Sequence, residues 1–149
     1  MNTILFSILL VFNLNASIGK PENPATGSVT IEINGLTSDK GEVLVALYNN
    51  KEHFPDKGDK AVANGKAVII KGKATLTFKG LPYGKYAAAI LHDENLNHQM
   101  DFNAVGIPME GYGFSNNAKG LIGAPSFNKA AFGIDSANRK ISIKQHTFK

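Results

Sequence analysis

The sequence predicts an all-β fold: a single antiparallel β-sandwich of immunoglobulin-like or transthyretin-like type, with about seven strands and one long Asp/Asn/Gly-rich loop. Three observations carry that expectation. Apolar and polar residues alternate with period two in several short segments. Turn-forming residues separate those segments at the spacing of a sandwich. No stretch carries apolar residues at helical spacing. With 149 residues, 43% of them hydrophobic, and only 19% charged, the chain is long enough for one domain with a substantial core.

The chain opens on an apolar run, Ile4 to Leu14, broken only by Ser7 and Asn13 and followed by the small residues Ala16, Ser17 and Gly19. A run of about 11 residues is too short to span a bilayer, which takes roughly 20, but it suits the apolar core of an export signal. Only the α-amino group supplies positive charge ahead of it. The expected organisation is a signal peptide over residues 1–19 and a sandwich domain over 27–148. Cleavage removes no charged residue, so the net charge stays at +4. The chain has no Cys, which excludes disulfides, thiolate metal sites and a Cys-linked lipid. These features point to a bacterial protein of the periplasm or the medium, with no stable membrane anchor after cleavage. Its Lys residues are dispersed and lack interleaved aromatics, so nucleic acid is not an expected partner.

Strands follow in order. Val29, Ile31 and Ile33 alternate with Thr30, Glu32 and Asn34, and Gly35–Gly41 turns the chain. Glu42–Tyr48, EVLVALY, is apolar on both faces and reads as a central strand. Asn49–Gly65 is a polar loop anchored by Phe54. Lys66–Ile70 is a short strand, and Ala74, Leu76 and Phe78 alternate in the next. Leu81-Pro82-Tyr83-Gly84 suits a type I turn. Lys85–Leu91 is a strand whose alanines permit close packing. Ala131–Ile134 and Lys140–Gln145 close the chain, joined at Ser136-Ala137-Asn138 as a hairpin. Between them and the Lys85–Leu91 strand lie roughly 35 residues rich in Gly, Pro, Asp and Asn, longer than connections in compact domains usually run.

That long segment begins HDENLNHQMD. Asp93, Asn95 and Asn97 stand at positions one, three and five, Gln99 at seven and Asp101 at nine. Calcium takes six to eight oxygens, and alternate side chains plus one backbone carbonyl, here that of Gln99, let a single loop wrap the ion. An EF-hand would place Gly at position six and Glu at position twelve; this chain has His98 and Ala104, and Glu110 is the next acid that can fold back. Two carboxylates put the affinity at the weak end, on the order of 10⁻⁴–10⁻³ M. The same residues also suit turns in which Asp and Asn cap their own backbone. His92 and His98 raise a transition metal as a further reading.

The second half, GIPMEGYGFSNN, mixes aromatics and amides. Glu110, Tyr112, Phe114, Asn116 and Asn117 are candidate ligand-binding residues for a glycan, peptide or protein, with Phe114 and Ile107 alternatively pinning the loop to the sandwich. His92, Asp93 and Ser115 are the letters of a hydrolase triad. No nucleophile elbow surrounds Ser115, and adjacent strand residues point to opposite faces, so no enzymatic activity is expected.

The blocks GEVLVALYNN, FKGLPYGKYA, HDENLNHQMD, GIPMEGYGFSNNA and GAPSF, in that order, resemble the bacterial exported family called domain of unknown function 2141, over about Gly27–Phe148. The resemblance implies a secreted or periplasmic β-sandwich. The family's usual pattern is similar to H-D-x-N-x-N-G-x-x-D; His92, Asp93, Asn95, Asn97 and Asp101 match it, and His98 replaces its Gly. The expected function is a non-enzymatic binding or structural module with a weak calcium site. The alternatives are a metal-independent carbohydrate- or peptide-binding module and, further off, a hydrolase using the loop acids.

Overall fold

The computed structural model describes residues 25–148; the apolar leader expected as a signal peptide lies outside them. The strands are β1 (Thr26–Asn34), β2 (Glu42–Tyr48), β3 (Ala63–Ala67), β4 (Lys73–Pro82), β5 (Gly84–Asp93), β6 (Gly111–Phe114), β7 (Phe132–Ile134) and β8 (Asn138–Lys144), with short 3-10 turns at Gly58–Lys60 and Ser115–Asn117 and an α-helical turn, α1 (Phe127–Ala130). One sheet runs β4-β1-β8. The other runs β3-β2-β5-β6, and β7 pairs the start of β5. The all-β, two-sheet expectation holds. Among the described residues no helix is long and apolar enough to cross a membrane.

Alternation explains the core. Val29, Ile31 and Ile33 of β1 and Val43, Val45 and Leu47 of β2 point between the sheets and are essentially inaccessible. Ala88 and Ile90 of β5, Ile134 of β7 and Ile143 of β8 complete that layer. Burying each large aliphatic side chain stabilises the fold by about 1.5–3 kcal/mol.

The connections differ from the expected ones at four places. β8 pairs β1 in parallel, from Ser28 opposite Asn138 to Asn34 opposite Lys144, while β7 pairs β5 in the other sheet. Ser136-Ala137-Asn138 is therefore a crossing between sheets and not a hairpin. Ser28 holds it, with its N–H and hydroxyl both on the Ala137 carbonyl at 2.9 Å. The Leu81–Gly84 segment is likewise a crossing: β4 pairs β1, β5 pairs β2, and Tyr83 alone separates them. β3 lies three residues earlier than Lys66–Ile70, because its partners on β2 run from Leu47 opposite Ala63 to Val43 opposite Ala67. Val68 and Ile70 are consequently exposed. Finally, the long segment after β5 is not structureless, since β6 forms within it and pairs β5.

Phe54 is buried as expected, but in a second cluster. With Tyr48, Ala87, Phe114, Ala118 and Ala130 it lies on the outer face of the β3-β2-β5-β6 sheet. Its ring meets Tyr48, Phe114 and Phe127 edge-on at 5.5–6.0 Å between centroids.

Gly41 ties the turn before β2 to the end of β5. Its φ is +69°, and a Cβ there would sit 1.9 Å from the Asp93 carbonyl oxygen. Gly41→Ala is expected to lower the unfolding free energy by about 2–4 kcal/mol, read by urea denaturation. A loss below about 0.5 kcal/mol would show that the two segments do not pack this closely.

Candidate functional site

Pairing of β2 with β5 places Glu42 opposite Asp93, Leu44 opposite Leu91 and Ala46 opposite Ala89. Pairing of β5 with β6 extends these rows, with Leu91 opposite Tyr112 and Ala89 opposite Phe114. β3 adds Lys66 beside Leu44 and Asn64 beside Ala46. These side chains share the outer face of the second sheet. Where a two-layer sandwich normally turns polar residues to water, this face carries Leu44, Ala46, Ala89 and Leu91.

Loops rise around that floor and enclose a groove of about 1100 Å³. Pro55 and Asp56 come from the β2–β3 loop, Met100, Phe102, Ile107 and Pro108 from the β5–β6 segment, and Phe148 from the C-terminal end. Tyr112 and Phe114 line it, and Tyr112 stacks on Phe148 at 5.9 Å. The backbone of His146 pairs with Tyr112 in both directions, at 3.0 and 2.7 Å, which occupies this edge of β6. His146 is held below the ordinary histidine range by burial, with Lys119 and Lys144 adding to the effect.

The Asp93–Asp101 loop forms one end. Strand alternation sends His92 into the sandwich and Asp93 to the outer face, both fully buried. Asp93 Oδ1 accepts the Asn97 N–H at 3.2 Å and Oδ2 accepts the His98 N–H at 2.8 Å. Asn95 Oδ1 accepts the Asn97 N–H at 3.1 Å, and Asn97 Oδ1 accepts the Gln99 N–H at 2.9 Å. The two amide groups then donate to Asp101, from Asn95 at 2.6 Å and from Asn97 at 3.0 Å. Leu96 and His98 adopt φ of 60° and 61°, so His98 makes the left-handed turn for which the resembled pattern has Gly. Of the five residues expected at a cation loop, Asn95, Asn97 and Asp101 are joined side chain to side chain, and Asp93 caps the backbone of Asn97 and His98. Gln99 joins through its N–H.

Glu110 does fold back. It is buried, and its carboxylate accepts the Glu94 N–H at 3.1 Å and the Asp101 N–H at 3.2 Å. Burial holds its pKa above the ordinary carboxylate value, reinforced by Asp101 and Asp93 nearby and opposed by the two N–H donors. The rest of the segment returns through Asn103, whose Oδ1 accepts the Val105 and Ile107 N–H groups at 3.0 Å each.

Other sequence candidates take backbone partners. Asn116 donates to the Lys129 and Ala131 carbonyls at 3.2 and 2.8 Å, and Asn117 accepts the Lys144 N–H at 2.8 Å. The Ser115 hydroxyl accepts the Ala88 N–H at 2.9 Å and donates to the Ala130 carbonyl. The ring of His92 contacts the Lys40 carbonyl through Nε2 at 2.8 Å. Ser115, His92 and Asp93 do not hydrogen-bond one another. Sequence reasoning missed the groove floor, although EVLVALY, apolar on both faces, carried the signal. It also missed Glu42 and Lys66, which only strand register brings beside Asp93 and His98.

The family model described as "uncharacterized protein conserved in bacteria", DUF2141, matches residues 31–142. No curated protein matches the chain. Two crystal structures of a pilus-presented adhesin, Spy0125 (Cpa), one of them a cysteine-to-alanine mutant, match at 14% and 17% identity with TM-scores of 0.28 and 0.27. Each alignment covers 83% of this chain and 28% of the adhesin, so the chain spans little more than a quarter of that protein. Likeness at those scores supports no inference, and the sheet assignment stands on the strand register itself.

A carboxyl group whose pKa is raised on folding binds its proton more tightly in the folded state. Glu110 therefore makes stability fall as pH rises from the ordinary carboxylate range through its raised value. In EDTA, the wild-type melting temperature is expected to show this decline and Glu110→Gln to lose it. Parallel pH profiles would remove Glu110 from the account.

Proposed function

The chain belongs to the bacterial DUF2141 family, and we propose that it is an exported, non-enzymatic binding module. It takes an apolar small molecule or acyl chain into the outer-face groove, with the Asp93–Asp101 loop ordered by a weakly held calcium ion. The groove carries this reading. A volume of about 1100 Å³ floored by Leu44, Ala46, Ala89 and Leu91 has the size and lining of a ligand pocket. A glycan would ask for several hydrogen-bonding groups around an aromatic platform, and this floor offers methyl groups instead. Strand addition at this edge of β6 is opposed by His146, which already pairs Tyr112. Export rests on the apolar leader.

Calcium is supported by the oxygens of one loop. Asp93, Asp101 and Glu110 all accept N–H donors of that loop, and burial raises the pKa of Glu110, with Asp101 and Asp93 adding to the effect. A divalent cation would lower it. The Asn95 and Asn97 side-chain oxygens accept the Asn97 and Gln99 N–H groups, and each keeps a second lone pair for an ion. Ordering this wall would offset loop entropy of about 1–2 kcal/mol per residue of backbone.

Two measurements test the reading. The mature chain is expected to enhance the fluorescence of 1-anilinonaphthalene-8-sulfonate and to release it to a dodecyl chain. Ala89→Phe, which fills the floor from the outer face, should abolish that signal while leaving the far-ultraviolet dichroism unchanged. Equal binding by the Phe variant would place the probe elsewhere. With a Kd on the order of 10⁻³ M, calcium at about ten times that concentration stabilises by about 1.4 kcal/mol, or roughly 3–5 °C in Tm. Asp101→Asn should lose most of that shift, and an unchanged wild-type Tm would discard the ion.

A further inference from the structure

We propose that Glu42, Asp93 and His98 form a site for a transition-metal ion, zinc being the physiological choice, which the Lys66 ammonium fills when metal is absent. The site shares Asp93 with the calcium reading but differs from it in Glu42 and His98, and calcium does not select an imidazole.

The donor set comes from three segments that strand register brings together. Glu42 begins β2, Asp93 ends β5 opposite it, and His98 closes the tight turn that Asp93 caps. One ligand atom from each lies within 4.8 Å of the others. An imidazole with two carboxylates suits zinc, copper or a related divalent ion, and small side-chain shifts bring such atoms to about 2.0–2.2 Å from a common centre. Asp93 is fully buried and pre-oriented by two backbone N–H groups, the support that metal-binding carboxylates ordinarily receive.

Lys66 lies against this donor set. Its Nζ lies 2.7 Å from Glu42 Oε1 and 2.8 Å from His98 Nε2, and His98 Nε2 is itself 3.2 Å from Glu42 Oε1. A cation already sits against two of the three donors. The Lys66 side chain is 53% exposed, so it can swing into water and yield its place. Replacing one positive charge with two also balances the carboxylates of Glu42 and Asp93. His98 and Lys66 line the groove, which puts the ion at its polar end.

The competition between Lys66 and metal separates this site from an ordinary charged patch. Isothermal titration of the EDTA-treated mature chain with zinc alone should give one equivalent bound in the micromolar range, and cobalt should give visible absorption bands of nitrogen/oxygen ligation. Lys66→Met, which removes the competing cation, should tighten zinc about tenfold. His98→Gly, which keeps the left-handed turn, should weaken it by about tenfold or more. The calcium response of His98→Gly should persist, so failure here and failure of the calcium loop are distinguishable. Thermal melts confirm that each variant is folded. Zinc binding absent from both wild type and Lys66→Met, or weaker in Lys66→Met than in wild type, would overturn the proposal. So would zinc binding that His98→Gly leaves unchanged.

Discussion

The structure turns on a sheet that is apolar on both of its faces. β2 and β5 send Val43, Val45, Leu47, Ala88 and Ile90 inward against β1, β4 and β8. The same strands send Leu44, Ala46, Tyr48, Ala87, Ala89 and Leu91 outward, where a two-layer sandwich has no third sheet to receive them. Leu44 and Leu91 stay half-buried there and forgo part of the roughly 1.5–3 kcal/mol that full burial of a leucine gives. The chain answers with loops. Phe54, Phe114 and Phe127 cover the end of the face nearest Tyr48, and the Met100–Pro108 strap rises beside the other. Cover is incomplete, and what is left between the loops is the groove.

Asp93 joins the groove to its polar end. Its position as the last residue of β5 puts it on the outer face, across from Glu42. There its two oxygens cap a turn that contains two non-glycine residues at positive φ. Such conformations persist only when their surroundings over-determine them. Asp101 and Glu110 close the other side of the loop by accepting side-chain and backbone donors. Burial raises the pKa of the Glu110 carboxylate, with Asp101 and Asp93 adding to the effect and its two N–H donors opposing it.

Much of the fold was legible in the sequence because it is written in local alternation. β1 and β4 follow from period two, β2 and β5 follow as short apolar runs bounded by turn residues, and Phe54 follows as the one phenylalanine of a polar loop. The loop residues Asp93, Asn95, Asn97 and Asp101 were legible through their spacing, and hydrogen bonds within one turn link them. The sheet crossings at Tyr83 and at Ser136–Asn138 were not, because a Pro/Gly turn signal says that the chain bends and not which partner the next strand finds. Register is equally silent in one strand read alone. Val68 and Ile70 invited a strand that the pairing of Ala63–Ala67 with β2 pre-empts. The grouping of Glu42, Lys66 and His98 spans three segments and exists only once those pairings are made. His98 stood where the resembled pattern has Gly, and its φ of 61° shows that the turn tolerates an imidazole.

The central claim is that the outer face, and not the inner core, receives a ligand. Methyl-resolved NMR of the mature chain during titration with a soluble dodecyl chain tests it most directly. The account predicts saturable shifts of the Leu44, Ala46, Ala89, Leu91 and Ile107 methyl groups, while Val43, Val45 and Ile90 behind the sheet stay in place. Methyl groups on both faces moving together, or none moving at all, would contradict it.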